Sequence, residues 1–89
     1  MRSLIVVLIV ILLSAADAAA QSAGASLATF STERQAHQHC PADTVVWLNL
    51  PSGIYHFEGE RWYGNTRNGA YVCRGEADRA GDRATRNGQ

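Results

Sequence analysis

The chain has 89 residues and a formal net charge of zero, built from eight arginines, eight acidic residues and no lysine. That balance excludes the broad positive field required for non-specific nucleic-acid binding and the polybasic cluster of an anionic-membrane binder. The length allows one small domain behind an N-terminal address.

The address comes first. Arg2 supplies a minimal positive region, Leu4–Leu13 is an uninterrupted apolar run, and Ala18-Ala19-Ala20 satisfies the small-residue cleavage rule ahead of Gln21. A spanning helix needs about 20 apolar residues, and Ser14 and Asp17 interrupt this run too early. Residues 1–20 are therefore expected to be a cleaved signal peptide, which sends the chain to the periplasm or outside the cell with no membrane attachment. Loss of Arg2 and Asp17 leaves the mature charge at zero.

Residues 21–39 are rich in Ser, Ala, Thr and Gln, with Leu27 and Phe30 as the larger apolar side chains. Such a composition buries too little surface to offset ordering entropy, so the stretch is expected to be a flexible linker. A short helix through Glu33-Arg34-Gln35-Ala36 is the alternative.

The folded part is expected over residues 40–84. Thr44-Val45-Val46-Trp47-Leu48-Asn49 is the clearest strand, rich in β-branched and aromatic residues. Leu50-Pro51-Ser52-Gly53 turns the chain, and Ile54-Tyr55-His56-Phe57 forms a second strand. Alternation puts Ile54 and His56 on one face and Tyr55 and Phe57 on the other. Glu58 to Asn68 is a loop pinned by Trp62 and Tyr63. Asn68-Gly69 is a turn dipeptide that leads into a third strand, Ala70-Tyr71-Val72.

A helix then follows. Cys73 stands at the capping position, Glu76 lies three residues later as in half a capping box, and Gly81 is a natural C-cap. Residues 85–89 are polar and expected to fray. The fold class is α+β: a small three-stranded antiparallel meander followed by one short helix.

Two resemblances attach to these residues. Ser52-Gly53-Ile54-Tyr55, followed by Tyr71, Glu76-Ala77, Ala80-Gly81 and Arg83, resembles the Ada-type zinc-binding domain of bacterial alkylation-repair proteins over about 35 residues. That likeness implies the scaffold. The family's four zinc cysteines fall here on His56, Glu60, Thr85 and Gly88, and Asp82 replaces its aromatic residue. The resemblance therefore argues against zinc-thiolate repair chemistry, and no metal or cofactor is expected. The string SGIYHFEGERWYGNT with NGAYVC also looks like a group of short secreted bacterial proteins of unassigned function, the closer of the two matches.

Cys40 precedes the first strand and Cys73 ends the third. In an exported chain an even cysteine count favours a disulfide. The closed loop would stabilise by roughly 4 kcal/mol in the chain-entropy model, in a domain near the size where a core alone stops sufficing. The alternative is metal binding by His37, His39 and Cys40, completed by His56 or Cys73.

His56, Arg61, Trp62, Tyr63 and Arg67 are the ligand-binding candidates, since an aromatic-basic loop can stack bases or sugars. The competing reading packs Trp62 and Tyr63 beneath their own loop. His56 with Glu58 and Glu60 lacks the partner and pocket that a general base needs, and no nucleophile–base pair can be assembled. The expected function is a non-enzymatic, monomeric envelope or extracellular module that binds an unidentified ligand or partner. The alternative is a degenerate Ada-like domain with residual metal or nucleic-acid binding.

Overall fold

The computed structural model describes residues 26–89, so the signal-peptide reading of residues 1–20 lies outside the described residues. Six short elements follow in chain order: helix α1 (Glu33–His39), strands β1 (Val45–Asn49), β2 (Ile54–His56) and β3 (Gly69–Cys73), helix α2 (Arg74–Arg79) and strand β4 (Arg83–Ala84). The class is mixed α+β, as the sequence pattern implies.

The sheet has the order β3-β1-β2-β4, which corrects the three-stranded meander. The reason lies in β1, where Val45, Val46, Trp47 and Leu48 are all buried. A strand apolar on both faces belongs in the middle. It pairs antiparallel with β2 on one side (Trp47 opposite His56, Leu48 opposite Tyr55) and with β3 on the other (Val46 opposite Val72, Trp47 opposite Tyr71). The free edge of β2 takes β4 in parallel, with Ile54 opposite Arg83 and Tyr55 opposite Ala84.

Asn68-Gly69 is consequently not a hairpin turn. Gly69 is the first residue of β3, opposite Asn49, and lacks the positive φ that a primed turn demands. Its lack of a side chain serves packing instead, because a Cβ there would collide with the Trp47 indole.

Period-two alternation divides the sheet into two faces. On one face Val46, Leu48, Tyr55 and Val72 join Ala77 of α2 in the hydrophobic core, flanked by Leu27, Phe57 and Ala84. The Tyr55 hydroxyl donates to Asp78 Oδ1 at 2.6 Å and accepts from Arg74 Nε at 3.3 Å. Helix α2 closes with Gly81 at φ 94°. There the Gly81 amide bonds the Asp78 carbonyl at 3.1 Å and the Asp82 amide bonds the Ala77 carbonyl at 2.9 Å, the paired bonds of a Schellman stop.

At its other end α2 differs from expectation. Cys73 occupies the N-cap but its side chain makes no capping bond, because its sulfur is tied to Cys40. Asp43 takes over, its Oδ2 accepting from the Gly75 amide at 2.9 Å and its Oδ1 from the Thr44 amide at 2.7 Å. These amides, the Gly75 one foremost, hold the Asp43 carboxyl below its ordinary range.

The stretch read as a linker is structured within its described part. Phe30 forms a β-bridge with Tyr71, and α1 opens with a full capping box between Thr32 and Gln35. Ala36 is wholly buried, and the Cys40–Cys73 disulfide joins the end of α1 to β3 with a Cα separation of 6.4 Å. Few apolar residues suffice because a covalent bond and a capping box supply what composition lacks. The segment read as a frayed tail is also tied back. The Thr85 amide bonds the Tyr55 carbonyl at 3.0 Å, and the backbone oxygen of Gln89 accepts from the Trp62 amide at 2.9 Å.

Candidate functional site

The second face of the sheet carries Trp47, Tyr71, Asn49, Ile54 and His56, placed there by the same register. Its β3 half is covered. The Trp47 and Tyr71 rings meet edge to face at 4.8 Å, and Tyr63 packs on Tyr71 at 5.6 Å. The Tyr63 hydroxyl donates to the Glu33 carboxylate of α1. Burial, then that carboxylate, push the phenol well above its ordinary range, so it stays a neutral donor.

The β2 half stays open and forms a cleft of about 440 Å³, within the size range of small-molecule sites. Asn49, Ile54 and His56 make its floor. Trp62 and Thr66 of the loop make one wall, while Thr85, Asn87 and Gln89 make the other. Two bonds fix these walls: Trp47 Nε1 donates to Thr66 Oγ1 at 2.8 Å, and the Trp62 amide reaches the backbone oxygen of Gln89 at 2.9 Å. Asn87 Oδ1 accepts from the Thr85 hydroxyl at 2.7 Å and from the Gln89 amide at 3.2 Å, which shapes the tail into a turn.

His56 is the distinctive member of this group. It is only 7% exposed, and its Nδ1 is buried without a hydrogen-bond partner among the described residues. Buried polar atoms are nearly always paired, and leaving one unpaired costs about 1–3 kcal/mol. In natural folds such an atom is satisfied by a buried water or a ligand, or serves a functional role.

The five ligand-binding candidates thus separate. His56 and Trp62 line the cleft. Arg61 lies over the Trp62 ring at 4.8 Å, a cation–π contact outside the lining. Tyr63 is turned away into the α1 contact, and Arg67 is exposed and outside the lining. Asn49 follows from alternation with Trp47 in a strand already read through Asn49, and carrying that alternation one step past Trp47 would have found it. Thr85, Asn87 and Gln89 carry no such signal, because they enter the wall only through the parallel pairing of β4.

Of the four positions that hold zinc cysteines in the Ada-type pattern, His56 and Thr85 both line the cleft. Glu60 instead uses its Oε1 to accept the Phe57 amide at 2.7 Å. A group of three potential metal donors among the described residues lies elsewhere, at His39, Cys73 and Glu76. No helix of the described residues is long and apolar enough to cross a membrane. Comparison with family models, curated proteins and solved structures finds no match.

Proposed function

We propose that the protein is a non-enzymatic, exported binding module whose cleft holds a small neutral ligand rich in hydroxyl and amide groups. The observation that carries this reading is the lining itself. Asn49, Ser52, Thr66, Thr85, Asn87 and Gln89 supply neutral donors and acceptors around Trp62, and His56 is the one titratable side chain among them. An aromatic plate with convergent amides and hydroxyls suits a saccharide or a short peptide backbone. A single histidine without an orienting partner does not suit general acid–base work. Export is supported by the apolar run and cleavage pattern of residues 1–20 together with the disulfide.

Isothermal titration with glucose, N-acetylglucosamine and diglycine amide tests the reading. At least one probe should bind, with little dependence on salt because no ion pair forms. Trp62→Ala, at a half-buried position, should weaken that binding about tenfold, since stacking contributes about 1–3 kcal/mol. Binding confined to anionic ligands and abolished by salt would overturn it, as would no binding by any probe. A second reading, a degenerate Ada-like domain retaining weak metal or nucleic-acid binding, draws on the presence of His56 and Thr85 in one lining; zinc retained there in a His56-dependent way would favour it over the first.

A further inference from the structure

We propose that reduction of the Cys40–Cys73 disulfide converts the corner between α1 and α2 into a site for a thiophilic divalent metal, zinc being the best fit, with Cys40, Cys73, His39 and Glu76 as ligands. The site is separate from the cleft and independent of its function.

Three observations converge on this corner. First, one donor atom each from His39, Cys73 and Glu76 lies within 4.8 Å of the others. Second, His39 Nε2 and Glu76 Oε2 are 2.8 Å apart, so the imidazole and carboxylate already point at one another beside the sulfur. Third, the partner sulfur of Cys40 is bonded to Cys73, which places a fourth donor at the same point. Tetrahedral zinc bonds of about 2.0–2.3 Å put its donors roughly 3.3–3.8 Å apart. The His39–Glu76 contact has to open by about half an ångström, the Cys73 sulfur has to close on both by up to about one, and the two sulfurs, once reduced, have to part by roughly 1.7 Å from bonding distance. His39 ends α1 and its side chain is 40% exposed, while that of Glu76 is 31% exposed, so both can adjust without disturbing the core.

The oxidised chain offers only the imidazole and the carboxylate, which is too few for a closed structural site. Reduction changes the donor count. A dithiol attacks the half-buried Cys40 sulfur, Cys73 leaves as thiolate, and the mixed disulfide resolves to give the oxidised dithiol and two protein thiols. Two electrons and two protons have then passed to the protein. Zinc binding displaces both thiol protons to solvent, leaving two thiolates, a neutral imidazole and a carboxylate around the ion with a net charge of −1. Arg79 lines the same open hollow of about 580 Å³ as His39 and Glu76, which gives the ion a route in and a cation to offset that charge.

Cobalt titration of the purified full chain decides the matter. The protein is either left oxidised or reduced with a phosphine, which becomes the phosphine oxide by taking oxygen from water as it yields the two thiols. The reduced chain should take up one Co²⁺ with thiolate-to-cobalt charge-transfer absorption and tetrahedral ligand-field bands, and zinc should displace it. The oxidised chain should show neither. Glu76→Gln and His39→Ala should each weaken the reduced site at least about tenfold, since even outer partners of metal ligands cost that much, while His37→Ala should leave it unchanged. Circular dichroism follows the fold in parallel. Three results overturn the proposal: a reduced chain without charge transfer, folded or not; an affinity indifferent to both His39 and Glu76; or equal binding by the oxidised chain.

Discussion

Replacing Cys40 by alanine removes the cross-link with the least other disturbance, because Cys40 is half-buried while Cys73 is fully buried. The bridge spans a sequence separation of 33 residues. In the chain-entropy model a loop of that length confers about 4 kcal/mol. Small domains carry total stabilities at the low end of about 5–15 kcal/mol, so the variant should retain only a small margin. About 4 kcal/mol corresponds to a fall in Tm of roughly 15–30 °C for a chain of this size. Thermal unfolding followed by far-ultraviolet circular dichroism reads the change. A dithiol should lower the wild-type Tm by the same amount and leave the variant unmoved. Cys73→Ala should lose about 1 kcal/mol more, since truncating a fully buried side chain leaves a cavity. A Cys40→Ala chain that melts within a few degrees of wild type would refute the reasoning and assign the stability to the aromatic packing around Trp47 and Tyr71.

Asp43→Ala should destabilise by about 1 kcal/mol through loss of the α2 cap, measured by denaturant unfolding at neutral pH. Because the folded Asp43 carboxyl titrates below its ordinary value of 3.8, its contribution is complete above that value. It disappears as pH falls through the lower folded value, so the gap between wild type and variant should close in acid; a gap that widens there would contradict the assignment. Gly69→Ala should cost about 1–3 kcal/mol by driving a methyl group into the Trp47 indole, with a matching change in the near-ultraviolet signal of that ring. An alanine tolerated there with no change in stability or spectrum would mean that the Trp47–Gly69 contact is loose.

The three antiparallel strands were legible because each carries its own local signal: β-branched residues in β1, alternation in β2, aromatic and apolar residues in β3. Their order was not, because whether β3 returns to β2 or crosses to the far edge of β1 depends on burial of Trp47 between His56 and Tyr71, a property of the assembled sheet. Strand β4 is two residues long and has no period to read. Helix α1 was legible only as the alternative through Glu33–Ala36, because the weak apolar content of that stretch outweighed the Thr32-Glu33-Arg34-Gln35 capping box. At the cleft, His56 and Trp62 were visible as chemistry. The neutral wall opposite them was not, since Thr85, Asn87 and Gln89 resemble any polar tail until parallel pairing brings them beside β2. The Asp43 cap was hidden for a related reason, being separated by 32 residues from the amide it bonds.

The claim that the neutral cleft is the binding site is tested most directly by a ¹⁵N–¹H correlation titration of the full chain with the tightest-binding saccharide or amide probe. The two tryptophans report on the same wall in different ways: Trp62 lines the cleft, and the Trp47 indole N–H is bonded to the lining residue Thr66. Shifts should concentrate on the Trp62 indole, the His56 ring, and the amides of Thr85, Asn87 and Gln89, with the α1 amides of residues 33–39 unmoved. Shifts that cluster instead on α1 and α2, or that leave Trp62 and His56 unchanged at saturation, would contradict the account.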